Sequence, residues 1–268
     1  MTPTERAKKI HWLRNTALGL AVSIAAFWWI LRDIQIEDVL RKVGAADASY
    51  LLLAVAATFA SYTLRSWRWP YFFKHSPPGF ADSFRCLILG FFMNNTLPAR
   101  LGELIRAHLG GRATGQSRTL VLATIAAERL IDGLTISVIF ATLFTLGRSA
   151  SAVEEGRVIL YVAYGFAGVS VATLAFLSLR ERFYKLLARM RDTFPGHLSN
   201  FTLVRIERFI EGLEPMMHPR PMAVIAPSSA VIWLIELAVY FFVARGFEQD
   251  LSVAQLALFL AAVNFSSL

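Results

Sequence analysis

Two stretches of this sequence place charged and amide side chains inside otherwise apolar regions. The first stretch is Asn94-Asn95-Thr96-Leu97-Pro98-Ala99-Arg100-Leu101-Gly102-Glu103-Leu104-Ile105-Arg106. Pro98 cannot continue a helix that precedes it, but it is well suited to begin the helix that follows. Inside a membrane such a break is tolerated only beside protein or a watery cavity, so the amides of Asn94 and Asn95 predict a polar site there.

Three charged side chains follow this break at helical spacing. Glu103 is three residues from both Arg100 and Arg106, so one carboxylate would lie between two guanidinium groups. Two guanidinium groups and one carboxylate together carry a net positive charge. Because a guanidinium is a planar fork that matches a phosphate, the stretch is suited to a phospholipid headgroup.

The second stretch carries Glu128, Arg129 and Asp132 within a long apolar run. Each charge at the bilayer centre costs about 2.5–3.5 kcal/mol on insertion scales, so three together need partners or water. Two interpretations stay open from the sequence. The charges form an ion-pair lock between helices, or the lock also lines a polar path for a headgroup.

Composition indicates that these charges belong to an integral membrane protein. Of the 268 residues 56% are hydrophobic and 17% are charged, and the mean hydropathy is +0.51. Soluble domains carry about 25% charged residues, so the values argue against a soluble enzyme and exclude a disordered chain. The net charge of +8 lies between apolar runs, where anionic headgroups would meet it, which argues against nucleic-acid binding.

The apolar segments predict an all-α, polytopic protein that forms a single domain over residues 1–268. Five crossing helices are expected at residues 15–31, 48–64, 119–146, 158–179 and 222–244. The second crossing is closed by Arg65 and Arg68, and the fifth contains Glu236, a candidate partner for Arg65. The segment 83–98 is short and interrupted, which is typical of a re-entrant hairpin rather than a crossing.

The distribution of basic residues predicts a cytoplasmic N-terminus. If residues 83–98 enter and leave on one side, most of the 27 Lys and Arg residues fall on the inner side, including those between 180 and 220. If that segment crossed instead, the basic loops would be divided between the two sides. The positive-inside rule therefore favours the re-entrant arrangement.

An internal repeat is expected, with its two halves inverted. Sliding the sequence so that Arg65 falls on Glu236 also places residues 80–97 on residues 251–268. The first repeat would cover about 48–146, and the second would begin at about 222 and be incomplete at 268. Opposed repeats with broken helices are the usual arrangement of an alternating-access transporter. The chain is thus expected to be a shortened form of a longer protein.

The segment at about 180–221 is the longest polar stretch. Ile206, Phe209, Ile210 and Leu213 recur there at helical spacing with charged residues between them. This pattern predicts a cytoplasmic amphipathic helix in the membrane interface or, equally, a soluble helical hairpin that packs on itself.

The two charged stretches together resemble a known family. Asn95-x-x-Pro98-x-Arg100-x-Gly102-Glu103-x-x-Arg106 followed by Glu128-Arg129-x-x-Asp132 is similar to the lysylphosphatidylglycerol synthase transmembrane-region family. That family includes the flippase half of the multiple peptide resistance factor and stand-alone flippase-like proteins. The resemblance implies a bacterial or archaeal cytoplasmic-membrane protein that moves a lipid or lipid-linked saccharide between leaflets. It does not extend to the soluble synthase domain, so aminoacyl transfer is not implied.

The expected function is therefore lipid translocation, with the headgroup passing a polar cavity while the tails stay in the bilayer. The cavity residues are Asn94, Asn95, Pro98, Arg100, Gly102, Glu103, Arg106, Glu128, Arg129 and Asp132, with Arg65, Arg68 and Glu236 as secondary candidates. The histidines show no ligand spacing and no nucleophile motif stands out, so we expect no metal, no cofactor and no catalytic residues.

Two alternatives remain open. One is a membrane enzyme that transfers a sugar or phosphate to a lipid, and the other is a scaffold that recruits a lipid-modifying synthase. A homo-oligomer and a partner synthase are both compatible with the sequence. The sequence does not identify the lipid, the direction of movement or the energy source.

Overall fold

The fold was derived from a computed structural model that describes residues 35–96, 101–146 and 197–266, with isolated residues between 25 and 32 and between 161 and 182. Pro98 and Arg100 lie outside the described residues. So do almost all of the expected crossings at 15–31 and 158–179 and most of the first half of segment 180–221. Two compact units are present, Met1–Asp47 and Ala48–Leu268.

The described residues form helices joined by turns, and no strand occurs among them. The α-helices are α1 (Ile36–Ala45), α2 (Ala48–Arg68), α3 (Phe80–Thr96), α4 (Leu101–Thr114), α5 (Arg118–Leu146), α6 (His197–Leu213), α7 (Pro219–Gly246) and α8 (Val253–Ser266). Short 3-10 helices, Trp69–Phe72 and Glu214–Met217, follow α2 and α6. The all-α expectation is confirmed for this part of the chain.

One continuous helix among the described residues, Pro219–Gly246, is long and apolar enough to cross a membrane by itself. It contains the expected crossing at 222–244. The expected crossings at 48–64 and 119–146 are also helical, within α2 and α5, but both helices carry the charged residues described below. The number of crossings therefore stays a prediction.

In the first unit, α1 is amphipathic. Ile36, Val39, Leu40 and Val43 repeat at helical spacing and are exposed, while Asp38 and Arg41 form an ion pair at 2.8 Å. Such a helix is suited to lie in a membrane interface.

In the second unit, α3 and α4 form a helical hairpin whose close approach depends on Gly102. A Cβ atom built at Gly102 would lie 2.0 Å from the backbone oxygen of Gly90 and 2.5 Å from Asn94 Oδ1. Only glycine therefore allows the two helices to approach this closely. The contact brings the amide of Asn94 and the side chain of Arg106 onto the same hairpin.

The apolar core of the second unit is divided into two clusters along α5. One cluster contains Val121 and Ile125 of α5 with Trp69 and Phe72, and the other joins Ile136 and Phe140 to α7 and α8. Ala127 and Ile131 of the first cluster flank Glu128 and Arg129, and Asp132 lies between Ile131 of the first cluster and Ile136 of the second. Apolar packing thus places Glu128 and Asp132 in a water-poor environment.

Local signals explain where several helices begin. Ser252 and Gln255 form a capping box at α8, with Ser252 Oγ accepting from the Gln255 N–H at 3.3 Å and Gln255 Oε1 accepting from the Ser252 N–H at 2.9 Å. At α5, Ser117 Oγ accepts from the Leu120 N–H at 3.2 Å. The first residue of α7 is Pro219, whose fixed φ suits that position.

Candidate functional site

Asp132 of α5 is the centre of a buried ion-pair network. Arg65 and Arg68 of α2 both donate to its carboxylate, from Arg65 Nη1 at 2.8 Å and from Arg68 Nη1 at 2.7 Å. Ser229 Oγ of α7 is 3.3 Å from Asp132 Oδ1, and Arg68 Nη1 also contacts Ser229 Oγ. The network therefore joins three helices at one buried carboxylate.

Glu128, one turn earlier on α5, extends the network to the hairpin. Arg68 Nη2 donates to Glu128 Oε1 at 3.0 Å, and Arg106 Nη1 of α4 lies 2.7 Å from Glu128 Oε2. The side chains of Arg68, Arg106 and Glu128 are each no more than 5% exposed. Because Glu128 contacts both α2 and α4, it couples the hairpin to the rest of the unit.

Glu236 of α7 completes the network at its more exposed edge. Ser61 Oγ donates to Glu236 Oε1 at 2.7 Å, and Arg65 Nη2 lies 3.5 Å from the same oxygen. The Arg65–Glu236 pair that the sequence left open is thus present. Glu236 is 21% exposed, whereas Arg65 is 5% exposed.

Replacement of Glu236 by glutamine should have a small effect. Glutamine keeps an acceptor for Ser61, and Arg65 keeps Asp132, so we expect a loss of about 1 kcal/mol or less in the free energy of unfolding. Unfolding in mixed micelles would measure it, with Asp132→Asn as the comparison. Equal losses in the two proteins would show that Glu236 is as important to the network as Asp132.

The network is formally neutral. Arg65, Arg68 and Arg106 supply three positive charges, and Glu128, Asp132 and Glu236 supply three negative charges. Neutrality within one cluster lowers the cost of burying these groups, because each charge has a close partner of opposite sign.

An aromatic ring lies near each of the three guanidinium groups, and the most distant of these contacts joins Arg68 to the ring centre of Phe72 at 5.8 Å. The Arg106 guanidinium lies 4.3 Å from the ring centre of Trp69, and that of Arg65 lies 4.9 Å from the ring of Trp233. Such cation–π contacts stabilise a cation that has left water. They also fix the plane of each guanidinium and thereby the direction of its N–H groups.

A second contact between α4 and α5 lies beside the network. Arg129 Nε donates to Glu103 Oε1 at 3.2 Å, and both side chains are about 30% exposed. The salt bridges of Glu103 and Arg106 thus connect α4 to α5, whereas the sequence suggested pairs at i,i+3 within one helix. Two such contacts hold the hairpin against α5.

Asn94 and Arg106 face a narrow cleft in the hairpin. Its volume is about 10 Å³, and its lining includes Asn94, Gly102, Glu103, Arg106 and Arg129. Asn94 Oδ1 and both Nε and Nη2 of Arg106 are buried there without a hydrogen-bond partner. The cleft has room for about one water molecule.

The structure brings together most of the residues that the sequence selected. Those in the network or at its cleft are Arg65, Arg68, Asn94, Gly102, Glu103, Arg106, Glu128, Arg129, Asp132 and Glu236. Asn95 lies at the C-terminal end of α3 and is exposed. Among the described residues, no group of three or more His, Cys, Asp or Glu side chains could hold a metal ion.

Sequence reasoning missed four contributors to the site. They contact the charged side chains, and they are Ser61, Ser229, Trp69 and Trp233. Serine and tryptophan are common in apolar helices, so the residue type alone gave no signal. Sequence reasoning placed Arg65 and Arg68 at the end of a crossing and ranked them only as secondary candidates, although both are buried within the network. Their i,i+3 spacing on one helix face was the available signal.

This geometry can be compared with known proteins. A family model described as the lysylphosphatidylglycerol synthase TM region matches residues 16–268. The chain belongs to this family. The resemblance carried by the two charged stretches is thereby confirmed, and the chain is a membrane protein.

Proteins similar to this chain agree with the assignment to a membrane-protein family. A UPF0104 membrane protein of Methanothermobacter thermautotrophicus is 26% identical, with 88% of this chain and 73% of that protein covered. Glycosyltransferase AglD of Haloferax volcanii is 24% identical, with 87% and 42% covered. A UPF0104 membrane protein of Pyrococcus horikoshii is 25% identical, with 68% and 56% covered. No solved structure matches the chain significantly.

Proposed function

We propose that the chain moves a lipid or lipid-linked saccharide between the leaflets of the cytoplasmic membrane, with the headgroup passing Arg106 and Asn94. The observation that carries this proposal is the buried guanidinium of Arg106. Its Nη1 contacts Glu128, its Nε and Nη2 are buried without a hydrogen-bond partner, and Arg106 is one of the residues that line the cleft. Buried N–H groups of this kind are costly unless a ligand or water satisfies them.

The chemistry of the cleft suits a phosphate group. Nε and Nη2 of Arg106 are two donor nitrogens in a fixed plane, and Asn94 Oδ1 is an acceptor for a headgroup hydroxyl or amine. Arg65, by contrast, donates to two carboxylates, Asp132 and Glu236. The headgroup is therefore expected to engage Arg106 rather than Arg65.

The hairpin has to move for a headgroup to enter, because the cleft holds only about one water molecule. Two ion pairs link the hairpin to α5, Arg106–Glu128 at 2.7 Å and Arg129–Glu103 at 3.2 Å. A phosphate that pairs with Arg106 would compete with Glu128. Headgroup binding and hairpin opening are thus coupled, as alternating access requires.

An inverted repeat is part of the proposal, and the bounds of the helices support it. Arg65 and Glu236 are 171 residues apart and in contact. The same offset places the first residue of α2 on the first residue of α7, and α3 on positions 251–267, where α8 covers Val253–Ser266. When two repeats are related by two-fold symmetry, equivalent residues of the two repeats can meet at the symmetry axis. The contact between α2 and α7 would lie at that axis.

Topology completes the proposal. We infer five crossings, a re-entrant α3–α4 hairpin and a cytoplasmic N-terminus within a single domain over residues 1–268. The support is the basic-residue distribution and the exposed apolar side chains of α2 and α7, such as Leu52, Phe59 and Leu234. Cysteine labelling on either side of the hairpin, in residues 73–79 and 115–117, should report the same face of the membrane.

Transport by Arg106 variants tests the function. The full chain would be reconstituted in liposomes with a fluorescent phosphatidylglycerol or with a polyprenyl-phosphate saccharide, and the accessible fraction would be followed over time. Arg106→Gln should slow the movement of the transported probe by about tenfold or more, since it removes a charge-assisted hydrogen bond of about 1.5–3 kcal/mol. Arg106→Lys should restore part of the rate, because it keeps the charge but not the fork.

The matched control is Arg112→Gln on the same helix, since Arg112 is exposed and lies outside the cleft. It should move both probes at the wild-type rate. An Arg106→Gln protein that folds normally and transports at the wild-type rate would contradict the proposal.

Glycosyl transfer is a second candidate because one relative is named a glycosyltransferase. The chain covers 42% of that protein, so the name describes a protein more than twice as long as the matched part. Incubation of the same liposomes with a labelled nucleotide sugar would separate the candidates. Labelled lipid product would favour the enzyme, whereas probe movement without product would favour translocation.

A further inference from the structure

A groove lies away from the charge network, at the N-terminal end of α7. It consists of two adjoining cavities of about 570 and 600 Å³ that share Phe73, Arg220 and Pro221. Cavities of about 300–1,000 Å³ are typical of small-molecule sites. The groove is therefore large enough for part of an amphiphilic molecule, unlike the cleft beside Arg106.

The wall of the first cavity is mostly apolar and aromatic. Trp67, Tyr71 and Phe80 are 44%, 36% and 50% exposed, and Phe73 and Pro77 also line the cavity. An apolar wall of this kind can pack against an acyl chain. Trp and Tyr are also enriched where a membrane protein meets the headgroup region.

The groove has a positive charge where the two cavities meet. Arg220 lines both of them, and Lys74 and His218 line the second. No acidic side chain is among the described residues that line either cavity. Lys74 is paired with Glu214 at 2.9 Å, which leaves Arg220 as the cation available to an anion in the shared part.

We propose that this groove binds an anionic phospholipid, with its phosphate at Arg220 and an acyl chain along Trp67, Tyr71 and Phe80. Arg220 is the second residue of α7, the helix that can cross a membrane. The groove thus lies where such a helix meets the interface and where headgroups are found. This site is separate from the translocation pathway, and its occupancy requires no transport.

Lipid selectivity tests the proposal. The full chain would be reconstituted in phosphatidylcholine vesicles that contain spin-labelled phosphatidylglycerol or spin-labelled phosphatidylcholine, and the motionally restricted fraction of each would be measured. Wild-type protein should prefer phosphatidylglycerol by about fivefold, the effect of one arginine near an anionic surface. Arg220→Gln should remove most of this preference.

Arg112→Gln is the matched control, because it removes the same charge from an exposed position outside the groove. It should keep the wild-type preference. Retained preference in a folded Arg220→Gln protein, or an equal loss in Arg112→Gln, would overturn the proposal.

A second measurement locates the lipid. Phosphatidylglycerol with a brominated acyl chain should quench tryptophan fluorescence more than brominated phosphatidylcholine does. Trp67→Phe should abolish that difference, because Trp67 lines the cavity and phenylalanine keeps an apolar wall. An undiminished difference in Trp67→Phe would show that the lipid binds elsewhere.

Discussion

An Arg68→Met protein should be the least stable of the single variants. Arg68 is fully buried and contacts Glu128, Asp132 and Ser229 from one guanidinium. Its removal leaves two buried carboxylates with fewer partners, and breaking a buried pair in this way costs about 3–5 kcal/mol. Methionine fills much of the volume, so the loss reports the charge rather than a cavity. Unfolding in mixed micelles, compared with the wild type, measures it.

Two further proteins make this result interpretable. Arg112→Met removes an exposed arginine and should unfold as the wild type does. The double variant Arg68→Met/Asp132→Asn should lose less stability than the sum of the single variants, because the two side chains contact each other. Additive losses would contradict a direct coupling between the two side chains, and an Arg68→Met protein as stable as the wild type would show that the network does not hold the helices together.

A Gly102→Ala protein should lose transport although the substitution adds only one methyl group. The new Cβ would lie 2.0 Å from the backbone oxygen of Gly90, which cannot rotate away. The hairpin helices would have to separate by about 1 Å, and overpacking of this kind costs about 1–3 kcal/mol. Because the hairpin carries Arg106 and Asn94, we expect lipid movement in liposomes to fall by about tenfold or more.

Gly44→Ala is the control for helix propensity. Gly44 lies in α1, where an added Cβ would meet nothing within 4 Å. Alanine is favoured over glycine in a helix by about 1 kcal/mol, so this variant should be as stable as the wild type or slightly more stable. Wild-type transport by Gly102→Ala would mean that the close approach of α3 and α4 is not needed for function.

The two interpretations of the charged residues predict different results for Arg106 and Arg68. A purely structural lock predicts that variants of both residues lose transport only in proportion to lost stability. A headgroup path predicts that Arg106→Gln loses transport while it remains folded, since Glu128 keeps its contact with Arg68. Parallel measurements of unfolding and lipid movement on the two variants separate these outcomes.

The sequence by itself determined the class of the protein and the identity of most charged residues in the network. The chain has too many apolar and too few charged residues for a typical soluble protein, so its composition indicates a membrane protein. This inference needs no knowledge of the fold, because apolar side chains avoid water in any fold. The two stretches around Pro98 and Asp132 were recognisable because charges within apolar segments are rare and costly. The family followed from their types and spacing alone.

Only the tertiary structure decided which charges are partners. Arg106 pairs with Glu128 and Arg129 with Glu103, across two helices, whereas spacing along one helix suggested pairs at i,i+3. Helical periodicity states which face a side chain occupies but not which helix packs against that face. The roles of Arg65, Arg68 and Ser229 depend on that packing, since residues distant in sequence meet only after α2, α5 and α7 have come together.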